Sequence, residues 1–113
     1  MIKVLFVCSA NVDRSPTAEY VYASHKDLEV KSAGTANYAR VPLSVNLLQW
    51  ADVILCMEER HKQIIEQKYP DAVSNKNLEC LDIPDRYEYK SPPLIKLIKE
   101  KVDSRLLKYK QSK

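Results

Sequence analysis

Val4-Leu5-Phe6-Val7-Cys8-Ser9-Ala10-Asn11-Val12-Asp13-Arg14-Ser15-Pro16 runs from an unbroken apolar segment into a polar turn and then into a helix-start signal. Apolar residues without polar alternation mark a strand covered on both faces, which is the habit of parallel sheets. Pro16 at a first helical position and Ser15 as a cap candidate predict a helix over Ser15–His25. A Cys at the strand end, facing a helix N-terminus across a tight loop, sits among backbone N–H groups that favour an anion. Such surroundings lower a thiol pKa and make the sulfur a nucleophile. Arg14 follows Cys8 by six residues, so its guanidinium can close the loop and grip two oxygens of a phosphate as a fork. Ser15 can donate a hydrogen bond to the sulfur. On spacing alone, the same residues also fit a buried strand-end Cys beside a surface Arg.

Further strands are expected at Glu29–Ser32, Asp52–Met57 and Asn77–Ile83, after the first at Ile2–Val7, with helical segments between them. Glu58–Lys68 reads as a helix stopped by Tyr69-Pro70-Asp71, and a short helix near Leu43–Ala51 must carry the crossover between the second and third strands. Leu94, Ile95, Leu97, Ile98, Val102, Leu106 and Leu107 form the stripe of a closing helix. The class is α/β, a three-layer open sheet of four parallel strands. Right-handed crossovers give the order 2-1-3-4 and put the ligand site at the end of strand one, at Cys8.

The 113 residues are expected to form one domain, 1–113. No apolar run approaches the roughly 20 residues of a membrane span, and the run after Met1 is too short for a signal peptide, so the expectation is a soluble cytoplasmic protein. Three cysteines without CxxC spacing argue for reduced thiols rather than disulfides or a zinc site. The net charge is +3, with basic residues gathered at Lys96, Lys99, Lys101, Arg105, Lys108, Lys110 and Lys113. That cluster reads as a solvated helix face, so neither a membrane nor a nucleic-acid partner is expected. His25 and His61 read as helix-surface residues without metal-ligand spacing, Trp50 as a core anchor, and Cys56 and Cys80 as buried small hydrophobes.

Four blocks in order, VLFV with Cys8 to Glu19, Ser32-Ala33-Gly34-Thr35, Ala51 to Met57 leading to Glu58 and His61, and Asp82-Ile83-Pro84-Asp85-Arg86-Tyr87, resemble the low-molecular-weight protein tyrosine phosphatases. The resemblance reaches to about Tyr89 and implies a phosphomonoester hydrolase that works through a phosphocysteine, with no cofactor and no metal, on a phosphorylated protein or small aryl phosphate. It implies Cys8 as nucleophile, Arg14 as the phosphate clamp and Asp85 as general acid, with Asp82 as a competing carboxylate. The loop of Ser9, Ala10, Asn11, Val12, Asp13 and Ser15 would hold the phosphate, and Tyr87 would wall the pocket, with Tyr38 and Tyr89 as further candidates.

Three positions depart from the family. Ala10 stands where Gly is usual, although Asn11 can take the left-handed turn. Asp13 stands where a second Cys is frequent, and its carboxylate is expected to point away from the anion; Arg86 replaces the Pro after the acid. The segment between Thr35 and Ala51 is short, as in trimmed bacterial members. A thioredoxin-coupled arsenate reductase using Cys56 and Cys80, a phosphocysteine carrier and a catalytically weak phosphate- or partner-binding module are the alternatives. Oligomeric state has no signal in the sequence.

Overall fold

The structure is a computed structural model and describes residues 1–111. Lys113, the last of the expected basic residues, lies outside them, and the side chains of Lys108 and Lys110 are likewise not described. The elements are β1 (Ile2–Cys8), α1 (Arg14–Tyr22), β2 (Leu28–Gly34), α2 (Val45–Trp50), β3 (Val53–Cys56), α3 (Glu59–Lys68), α4 (Pro70–Val73), β4 (Asn77–Cys80) and α5 (Pro92–Gln111). All strand pairings are parallel and the order is β2-β1-β3-β4, as the crossover argument requires.

Because β1 is central, Val4, Leu5, Phe6 and Val7 are completely buried, and alternate residues feed two different cores. Val4, Phe6 and Cys8 face α1 and α5, where Leu94, Ile98, Val102 and Leu106 recur every four residues as one helical stripe. Leu5 and Val7 face the other way, with Ile54, Cys56, Leu48 and Ile65 under α2 and α3. Full burial of such side chains contributes about 1.5–3 kcal/mol each, and the two layers clamp the carboxyl end of β1 from both sides. No described helix is long and apolar enough to cross a membrane.

Several expectations are corrected. Helix α1 starts at Arg14 with Asp13 in the cap position, so Ser15 is not the cap; its hydroxyl is taken by Cys8 and Asn11. Strand β4 stops at Cys80 rather than Ile83. Leu81 and Ile83 still donate to Cys56 and Met57 carbonyls, but Asp82 between them has φ 56°, which turns the chain out of the ladder. The Tyr69-Pro70-Asp71 stop opens a further single turn, α4. Leu48, not Trp50, anchors α2 in the core; Trp50 is half-buried at its margin beneath the Lys31 ammonium. Leu107 is exposed, because the stripe of α5 turns away from the sheet there.

Candidate active site

The turn after β1 places its carbonyls outward. Thr35 N–H donates to Cys8 O at 2.9 Å, Ala36 N–H to Ser9 O at 3.0 Å, Arg40 N–H to Ala10 O at 3.0 Å, and Arg40 Nε to Asn11 O at 3.1 Å. None of the N–H groups from Ser9 to Asp13 donates to an acceptor among the described residues. A turn whose carbonyls from Cys8 to Asn11 are engaged behind it and whose amides from Ser9 to Asp13 are unengaged is an anion nest. Gly34 makes this bracing sterically feasible: a Cβ there would lie 2.4 Å from Ser9 O and 2.7 Å from the Ala39 Cβ. The chain's one glycine is therefore required beside the loop, not inside it.

Within the loop only Asn11 has positive φ, at 57°, so Ala10 fits without strain. Asn11 is buried, and its amide nitrogen donates to Ser15 Oγ at 2.8 Å and Ser32 Oγ at 2.9 Å. Ser15 Oγ, receiving one hydrogen from Asn11, lies 3.0 Å from Cys8 Sγ and can direct its own hydrogen onto the sulfur. Cys8 and Arg14 are almost entirely buried, at 3% and 2% exposure.

Arg14 is fixed along one edge. Its Nη1 donates to Glu58 Oε1 at 2.6 Å and to Ile83 O at 2.9 Å, while Nη2 stands 3.8 Å from Asp85 Oδ2. Neither Nε nor Nη2 has a described hydrogen-bond acceptor, so two donors remain for an oxyanion. Partial burial pushes the Glu58 carboxyl upward, but hydrogen bonds and charge from Arg14 and Arg60 outweigh that and hold it below the usual carboxylate range. Glu58 also caps α3 in a capping box with His61.

His61 is not the surface residue expected from its helix. It is fully buried, its Nδ1 accepts the Glu58 N–H at 3.0 Å, and its Nε2 lies 2.8 Å from Ser9 Oγ. Burial, reinforced by the Arg14 and Arg60 charges, pulls its pKa down to about 4. His25 sits just past the end of α1, where Nδ1 accepts the Asp27 N–H.

Asp85 is mostly exposed on the segment between Ile83 and Lys90. That segment is strapped to α1: Asp13 Oδ1 accepts Tyr89 N–H at 3.1 Å and Thr17 Oγ1 accepts Lys90 N–H at 2.9 Å. The Asp13 carboxylate is thus engaged with the far segment. Arg86 N–H donates to Pro84 O at 3.1 Å, a bond that a proline at this position would lack. Tyr87 is half-buried against the α5 core, whereas Tyr89 and Val12, with Tyr20 and Arg40, line a groove of about 470 Å³ beside the loop; Tyr38 is exposed. Cys56 and Cys80 are register partners on β3 and β4; Cys56 is buried, but Cys80 is only half-buried, on the short last strand, with its thiol directed to Asp82. Burial pushes both thiols up.

Sequence reasoning missed the roles of Glu58, His61 and Arg40. Glu58 and His61 carry a local signal, the spacing of a capping box; Arg40 carries none, because it reaches the loop from 29 residues away.

No family model matches the chain. It is 30% identical to the protein-arginine-phosphatase of Bacillus subtilis (strain 168) over 93 residues, covering 62% of that protein. The chain therefore spans less than two thirds of this curated relative. The structure of Vibrio vulnificus Wzb in complex with benzylphosphonate superposes with a TM-score of 0.76 at 26% identity, covering 95% of this chain and 98% of that one. A low-molecular-weight protein tyrosine phosphatase of Streptococcus pyogenes, SP-PTP, gives a TM-score of 0.77 at 17% identity, covering 96% and 93%. With the 2-1-3-4 sheet presenting a C-x5-R turn at the end of β1, the chain has the fold of the low-molecular-weight protein tyrosine phosphatases.

Proposed function

We propose that this protein is a cysteine-dependent phosphatase of the protein tyrosine phosphatase type that acts on a phosphorylated protein or a small aryl phosphate without a metal or cofactor. The observation that carries this reading is the nest itself: unengaged amides from Ser9 to Asp13 around Cys8, with Arg14 offering Nε and Nη2. In this mechanism Cys8 Sγ attacks phosphorus as the ester oxygen departs, and Asp85 gives that oxygen its proton. The amides of Ser9, Ala10, Asn11, Val12 and Asp13 and the Arg14 fork hold the non-bridging oxygens. Water then attacks the phosphocysteine, Asp85 takes its proton, and Ser15 Oγ–H stabilises the departing thiolate. Tyr87 is assigned to the pocket wall on the resemblance alone, since it packs against the α5 core. A cytoplasmic location belongs to the same reading and is supported by three free cysteines.

A second reading, hydrolysis of phosphoarginine, is favoured by the sequence match to a protein-arginine-phosphatase. The arsenate reductase alternative is less well supported, because Cys56 is buried in a central strand under α3 and lacks the mobility of a relay thiol. The test is hydrolysis of an aryl phosphate and of a phosphoarginine peptide in parallel, with chelator present, and arsenate reduction assayed beside them. Turnover of the aryl phosphate supports the first reading, preference for the phosphoarginine peptide supports the second, and arsenate reduction alone overturns both.

A further inference from the structure

The loop residue after the nucleophile is held by a buried ring in a way that decides where its hydroxyl hydrogen goes. Glu58 N–H points at His61 Nδ1 at 3.0 Å, so that nitrogen must present its lone pair. A buried ring beside the Arg14 guanidinium does not carry a second proton at neutral pH, and the single ring proton is therefore on Nε2. Nε2, 2.8 Å from Ser9 Oγ, is then the donor and the hydroxyl is the acceptor. The Ser9 hydrogen must point elsewhere, and no described protein group accepts it. Ser9 is half-buried and directly follows Cys8 as the first residue of the nest, so the hydrogen left over from the His61 contact is carried by the loop that would hold the anion.

We infer that Ser9 Oγ–H is a direct hydrogen-bond donor to the oxyanion held in the loop, and that His61 is the positioning residue that fixes it in that role. This rests on the phosphate-binding reading of the loop and adds a side-chain donor to the backbone amides and Arg14. An alanine at position 9 would keep every amide and lose only this donor, so the contribution is separable from the nest.

The experiment is calorimetric binding of inorganic phosphate to the full chain, which needs no turnover. Ser9→Ala should weaken binding about tenfold, the size expected of a hydrogen bond to a charged group, and Ser9→Thr should restore it. His61→Asn keeps an acceptor near Nδ1 for Glu58 but no donor near Nε2; it should match Ser9→Ala, and the double variant should be no worse than either single one. His61→Gln, which returns an N–H near the Nε2 position, should recover most of the loss. Binding by Ser9→Ala within twofold of the parent overturns the inference, and so does additivity of the two single losses. Should His61→Asn fail to fold, nitrogen-15 shifts of the His61 ring in the parent decide the positioning role: a proton on Nδ1 overturns it. A parent that binds phosphate yet hydrolyses no substrate sinks the phosphatase reading and leaves this inference standing. A parent that binds no phosphate sinks both.

Discussion

The loop from Cys8 to Ser15 and the segment from Ile83 to Lys90 meet at the same guanidinium but are built in opposite ways. In the first, Cys8, Asn11, Arg14 and Ser15 are buried and every outward carbonyl from Cys8 to Asn11 has a donor from another part of the chain. In the second, Asp85 and Arg86 are exposed, and two left-handed residues, Asp82 and Lys90, bound the segment. The second is held mainly at its two ends: by Ile83, whose N–H donates to Met57 O and whose carbonyl accepts from Arg14, and by Asp13 on Tyr89 and Thr17 on Lys90. Oxyanion binding needs donors that do not reorganise, whereas a proton donor must meet leaving groups of different shape. On the proposed function, the division of rigidity follows the division of chemistry.

The comparison breaks most completely at Arg14, the buried guanidinium at which both regions meet. Arg14→Lys should lower kcat/KM for an aryl phosphate by about a hundredfold or more, since a point charge cannot hold Glu58 and Ile83 O along one edge and two phosphate oxygens along the other. A loss under tenfold would mean that the fork is not what binds the substrate.

Asp85→Asn should separate the two regions: kcat falls by about 10²-fold or more while phosphate affinity stays within a few-fold, because only the proton donor is removed. If phosphate affinity falls together with kcat, Asp85 is shaping the nest rather than serving as acid. A pH series of unfolding sharpens the rigid side. His61 has a folded pKa of about 4 against an ordinary value of 6.5, so the unfolded chain binds the extra proton first. Its contribution to stability is fully present above pH 6.5 and is lost as pH falls toward 4; the urea midpoint should drop across that window, and less steeply in His61→Asn.

The smallest effect is expected at Asp13. Its carboxylate is engaged by Tyr89 N–H, so Asp13→Asn should change the phosphate inhibition constant by less than about threefold, as for a screened charge away from the anion. A tenfold tightening would show that the native carboxylate opposes the bound anion.

The shape of the loop was legible in the sequence in part, because an apolar strand, a Cys at its end, Asn11 for the left-handed turn and Arg14 at fixed spacing are local, but that spacing alone also fitted a buried Cys beside a surface Arg, and the resemblance decided between them. The sheet order followed from connection length and handedness alone. What surrounds the nest was not legible in the same way. Arg40 reaches the loop through tertiary folding, and nothing in its neighbours distinguishes it from a surface arginine. His61 lies one turn before the buried Ile65 on a helix whose other residues are mostly exposed; that spacing turns the ring inward but does not tell that it reaches Ser9 in the loop. Asp82 ended β4 early because a single left-handed residue interrupts a strand without altering its apolar pattern.

The single glycine beside the loop ties the site to the order in which the chain assembles. Gly34 ends β2, which lies at the edge of the sheet, and the donors that turn the loop carbonyls outward come from Thr35, Ala36 and Arg40 immediately after it. Until β2 has docked on β1, those carbonyls face water and the amides of Ser9 to Asp13 have no reason to converge. Fraying of this one edge therefore dissolves the anion-binding shape while β1, β3 and the core beneath α5 remain paired. Amide exchange should register it as a local opening, in which Thr35, Ala36 and Arg40 exchange together, faster than Leu5 to Val7, and are jointly protected when phosphate binds.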